Sequence, residues 1–250
     1  MRHQSQQSLR RRLNRNLNKA SHNHHLLTRT TMDGTSKHPP LIFRASDHTY
    51  WSGEVRQFSA TQIGTLSGLV DTTYFQPKYA ERGTFVHQAT EYYDRPDVDL
   101  DESDLDPGIV PYLEGYKKFA ADCKPKWEGI EVPLGDPTLR IAGTIDRWGT
   151  MKPPKSKTRV KVVLDIKSGS YAPYHAIQLA CYAHLVSRHL QLSGAAAQVS
   201  SKPLVDRYVV YITKRGTYSV KKFSEVTDIA VFMAARTLVL WKEAHNLLKV

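Results

Sequence analysis

The sequence predicts an α/β fold in which a mixed central β-sheet is flanked by helices. Three observations carry that prediction. The segments "KWEGIEVPL", "LRIAGTIDRWG" and "VKVVLDIK" follow one another, are rich in β-branched residues and are bounded by Gly and Pro, as successive strands are. Helical spacing precedes them, and a helix, a hairpin and a last helix follow, an order that fits one sheet with helices packed on it. Neither GxGxxG nor a GxxxxGK followed by Ser or Thr occurs, so dinucleotide binding and nucleotide hydrolysis lack support within this class.

The 250 residues divide into a basic extension over 1–40 and one domain over 41–250. After Pro39-Pro40, "LIFRASDHTYWSGEVRQFSATQI" reads as a strand, a turn at Ser52-Gly53, a second strand and a helix entry capped by Ser59 or Thr61. "ERGTFVHQATEYYDRP" gives a helix from about Gly83 to Asp94, stopped by Pro96. His87 and Glu91, four apart, share one of its faces. Seven acidic residues and one Arg fill Asp94 to Asp106; Glu102 stands where a calcium loop needs Gly and Gly108 where it needs a bidentate Glu, so this is read as a solvated loop. "GIVPYLEGYKKFAAD" resumes helical spacing, with Val110, Leu113, Tyr116 and Phe119 turned to the core. Beyond the three strands come a helix from about Tyr174 to Leu190 and a flexible surface loop, "SGAAAQVSSKP". "DRYVVYIT" and "GTYSVKKF" pair across Lys214-Arg215-Gly216, and Ser224 caps an amphipathic helix to about Leu248.

The net charge of +11 is unevenly placed: residues 1–31 hold seven Arg and Lys and no acid, which leaves four for the rest. That segment is read as disordered, and three readings stand open: an arm that grips phosphate by charge, a solvated extension ahead of a start at Met32, or a mitochondrial presequence. It lacks the apolar core of a secretory signal, and no stretch reaches the roughly 18 apolar residues of a membrane span. Cys123 and Cys181 are too few for a disulfide framework or a four-cysteine cluster, which fits a reducing cytoplasm, a bacterial host's if the chain is phage-encoded.

Asp165 and Lys167, one residue apart on a strand, point to the same face, and the apolar "VVL" before them marks a buried central strand where charges are costly. Alone, such a pair is usually a strand-end ion pair. Asp146 changes its meaning, because it ends an alternating strand whose following loop is long enough to return the chain alongside. Two neighbouring carboxylates repel unless a divalent cation lies between them, and Mg²⁺ or Mn²⁺ with a lysine beside it suits phosphodiester cleavage. On the next helix His175, Gln178 and Tyr182 form one polar stripe, while Leu179 and Ala183 pack on the sheet.

Together "RGTFVH", "GTIDR", "VLDIKSG" and "QLACY" resemble the PD-(D/E)XK nuclease superfamily, in the branch of the RecB nuclease domain and stand-alone phage-type exonucleases. "YWSGEVRQFSATQI" and "PYLEGYKKF" are similar to its flanking elements, so the resemblance covers roughly 41–190. It implies a restriction-endonuclease-like core and a metal-dependent deoxyribonuclease, an exonuclease of phage-type recombination or DNA processing; a structure-selective endonuclease and an inactive DNA-binding relative are the alternatives. His87, Asp146, Asp165 and the Ile166 carbonyl would hold Mg²⁺ or Mn²⁺, Lys167 would be the catalytic lysine, and Gln178 and Tyr182 would position DNA or the lysine. Glu91 is added from the residues themselves, as a water-mediated ligand or a partner that orients His87. Several relatives carry four cysteines around an iron–sulfur cluster, which two cysteines cannot hold. DNA is the implied partner, with a single-strand annealing protein or a separate helicase beside it.

Overall fold

The computed structural model describes residues 39–73, 76–98, 100–194 and 204–248; the basic segment 1–31 and most of the "SGAAAQVSSKP" loop lie outside them. Among the described residues eight strands form one mixed sheet: β1 Leu41–Arg44, β2 Thr49–Ser52, β3 Val55–Ser59, β4 Lys126–Asp136, β5 Ile141–Met151, β6 Val160–Lys167, β7 Asp206–Ile212 and β8 Tyr218–Phe223. The helices are α1 Ala60–Ser67, α2 Pro77–Asp94, α3 Val110–Cys123, α4 Tyr174–Leu192 and α5 Asp228–Ala244. None of them is long and apolar enough to cross a membrane.

Strand order is β1-β2-β3-β5-β6-β7-β8, with β4 paired to β5; β3/β5 and β6/β7 are parallel and the other pairs antiparallel. Period-two alternation divides the core between two faces. Val162, Leu164 and Ile166 of β6 and Tyr208, Val210 and Ile212 of β7 pack with α2 and α3, whereas Val163, Val209 and Tyr211 pack with α1, α4 and α5. A strand buried on both faces explains the unbroken apolar run before Asp165.

Some local signals act as the sequence predicts, but two strands rather than one precede Gly53, and α2 begins at Pro77, ahead of Gly83. Gly53, at φ 59°, turns β2 into β3, and Ser59 caps α1 in a reciprocal box with Gln62. The other cap differs: α5 starts at Asp228 after Thr227 and ends at Ala244, so Ser224 does not cap it. In the acidic stretch Glu102–Asp104 forms a 3₁₀ turn, and Asp94 is not solvated but bound to Arg147 and Tyr116.

β5 organises the sheet. β4 runs along one of its edges over almost its whole length, so β3 and β6 must share the other, β3 at residues 141–142 and β6 at 147–151. Between them residues 143–146 have no strand partner on that edge, and β6 diverges from β5 beyond Leu164. The fork lies where the sequence places its acidic residues.

Candidate metal centre

Asp146 stands in the fork. Its Oδ2 accepts the Ile166 amide at 2.7 Å and so satisfies a backbone donor that the parted strands would leave unpaired. A residue's N–H and C=O share one strand edge, so the Ile166 carbonyl faces the same gap. Asp146 and Asp165 are 5 % and 1 % exposed, and burial raises both carboxyl pKa values. Lys167 Nζ straddles the Asp165 oxygens at 3.0 Å and 2.8 Å. Burial opposes its charge, but Asp165 and then Asp146 outweigh burial and raise the lysine, which stays an ammonium.

His87 comes from the middle of α2. Its Nδ1 lies 3.4 Å from Glu131 Oε1 and 3.5 Å from Asp146 Oδ2. Burial alone would lower the imidazole; the Asp146 charge, with the Glu131 hydrogen bond, reverses this and raises it to about 9. One donor atom from each of His87, Glu131 and Asp146 falls within 4.8 Å of the other two. Bonds of about 2.1 Å to a hard octahedral cation put neighbouring ligands ~3 Å and opposite ones ~4.2 Å apart, so this donor set fits such an ion with small adjustments.

Glu131 escaped the sequence reading, and register was the signal that could have found it. Asp136 pairs with Ile141 across the β4–β5 turn, and five steps back along each strand set Glu131 opposite Asp146. Its backbone is left-handed, φ 48°, a costly conformation for a non-glycine residue within a strand. Arg147, fully buried, donates from Nη1 to Glu131 at 3.0 Å and from Nε to Asp94 at 2.6 Å, and Tyr116 also donates to Asp94. The arginine thereby ties the end of α2 to β4 behind the site.

The other predicted residues are placed differently. Glu91 is not the imidazole's partner; its Oε1 accepts from Arg95 Nε at 2.8 Å, one turn on, and Glu131 takes that position. Asp165 lies against Lys167, outside the three-donor group. His175, Gln178 and Tyr182 are all buried, because α4 is covered by the sheet on one side and by α1 and α5 on the other. Gln178 donates to the Tyr182 hydroxyl at 3.0 Å. His175 Nδ1 is 2.9 Å from the Tyr211 hydroxyl, and burial, with Lys167 nearby, lowers it to about 4, so the ring is neutral. Tyr182 nevertheless adjoins the site: a Cβ at Gly143 would stand 2.8 Å from its Cε1, so the first residue of "GTIDR" must lack a side chain for the ring to lie there. Cys123 and Cys181 are free and buried.

No protein-family model matches this chain, and no curated protein matches it.

Proposed function

We propose that the protein is a divalent-metal-dependent deoxyribonuclease of restriction-endonuclease-like fold, and that it degrades DNA from an end, as an exonuclease of phage-type recombination or DNA processing. One observation carries the reading. Donors from α2, β4 and β5 converge at the strand fork, beside the buried Asp165 carboxylate, which the apolar core would disfavour without the half-buried Lys167 paired to it. His87, Glu131 and Asp146 would hold Mg²⁺ or Mn²⁺. When bound, the cation supplies a Lewis acid for the phosphate oxygens and a more acidic water.

The chain's own residues do the rest. Asp165 fixes Lys167 and keeps it protonated, so the lysine offers positive charge to a phosphate that gains negative charge, rather than acting as a base. Asp146 keeps β6 in register with the site through the Ile166 amide. Arg147 holds Glu131 from behind, so that this carboxylate need not reorganise.

End-labelled linear DNA and covalently closed DNA, each incubated with Mg²⁺, Mn²⁺ or chelator, test the proposal. Cleavage of linear DNA alone, dependent on metal and abolished by Asp165→Ala and Lys167→Ala in folded protein, is expected. Undiminished metal-dependent cleavage by both variants would refute the assignment, and cutting of closed circles would make the enzyme an endonuclease.

A further inference from the structure

The loop that leaves β6 carries a second feature next to Lys167. Tyr171 is 50 % exposed although it is well held: Lys221 Nζ sits 3.6 Å from its ring centroid, and Phe223 lies nearly parallel to it, with centroids 6.4 Å apart. Its ring centroid is 6.5 Å from that of Tyr211, which stands opposite Lys167 in the β6–β7 register. The aromatic group is therefore continuous with the candidate site. Across the same loop Tyr79, in the first turn of α2, is 47 % exposed. Lys78 and Arg82 each lie 5.1 Å from the centroid of its ring. Arg82 donates to the Ser168 carbonyl at 3.1 Å, so one arginine links the Tyr79 ring to the residue that follows Lys167. An exposed tyrosine is ordinary, whereas two that each lie beside cations and are joined to one loop next to the site form an ordered rim.

We infer that Tyr79 and Tyr171 are stacking platforms for unpaired bases, and that this rim gives the protein a preference for single-stranded over duplex DNA. Every base has a π-face, and paired bases keep theirs inside the helix, so half-exposed rings select strands whose bases are free. Lys78 and Lys221 add charge that follows the backbone without reading sequence. The inference rests on the nuclease reading for the nature of the polymer, but the rim is distinct from the metal-binding residues, so binding can be measured without cleavage.

The test uses the full chain in chelator, with a fluorescent single strand and the same strand annealed to its complement. Tyr79→Ala and Tyr171→Ala are each expected to weaken single-strand binding by roughly five- to a hundredfold, the range of one lost stacking contact, and to change duplex binding by less than about twofold. Tyr171→Phe keeps the ring and should keep the affinity. Lys221→Gln should lower the slope of log affinity against log salt by about 0.7 on the single strand. Single-strand binding by both alanine variants within about twofold of the parent would overturn the inference, as would equal losses on both substrates. Both side chains are half outside the core, so folding is not at risk, and unchanged thermal unfolding verifies this. A wild-type chain that cuts no DNA in Mn²⁺ would sink the nuclease reading, while the binding comparison would still decide the role of the rim.

Discussion

Asp146 Oδ2 and the Ile166 amide are 2.7 Å apart across the gap where β5 and β6 cease to pair, so one carboxylate both closes the fork and faces the imidazole of His87. The two duties separate by substitution. Asp146→Ala leaves a buried N–H without a partner and should cost about 1–3 kcal/mol. Asp146→Asn retains an acceptor oxygen and should unfold close to wild type, yet bind Mn²⁺ far more weakly. Thermal unfolding with calorimetric Mn²⁺ titration reads both. If Asn destabilises as much as Ala, the hydrogen bond is not what the side chain contributes to the fold.

Arg147 has no exposed surface and is shared between Asp94 and Glu131. Arg147→Met leaves the buried Asp94 carboxylate without its cation and Glu131 without one of its two partners, and should cost about 3–5 kcal/mol, seen as a lower urea midpoint. In the double variant with Asp94→Asn the loss should be smaller than the two single losses added together, because both act on one network. Strict additivity would mean that the ion pairs are incidental.

For the ion-free protein His87 sets a pH dependence. Its folded pKa of about 9 lies above the ordinary 6.5, so its contribution to stability is fully present below about 6.5 and is lost as pH rises through about 9. A cation needs the neutral ring, so Mn²⁺ affinity should climb over the same interval, by up to about tenfold per pH unit, and binding at neutral pH should release a proton. Calorimetry in buffers of different ionisation heat measures that release. His87→Gln should flatten both dependences.

Gly143→Ala would place a methyl group 2.8 Å from the Tyr182 ring, which is buried and hydrogen-bonded to Gln178. Overpacking of this kind costs about 1–3 kcal/mol. A fall in thermal stability together with weaker cleavage is expected, since the displaced ring packs on Gly143, on the same strand as Asp146. Normal stability would show that the ring moves aside freely.

Much of the architecture was legible locally. The β-branched runs became β4, β5 and β6, Ser59 capped its helix, and the two-residue repeat put Asp165 and Lys167 on one face. The glutamate at the site was not legible that way. Spacing along α2 favoured Glu91, which shares a face with His87, but Arg95 shares that face too and is a nearer partner. Glu131 is forty-four residues from His87 in the chain and reaches it only through the register of the β4–β5 hairpin and a left-handed backbone. The stripe of His175, Gln178 and Tyr182 shows the same division. The sequence alone determined that these three polar groups line up on α4. Only the tertiary structure decided that α1, α5 and the sheet would cover them, with Gln178 bonded to Tyr182 and His175 to Tyr211. The cause is one of range: backbone periodicity sets which side chains lie together on an element, whereas packing between distant segments sets which of those faces water can reach.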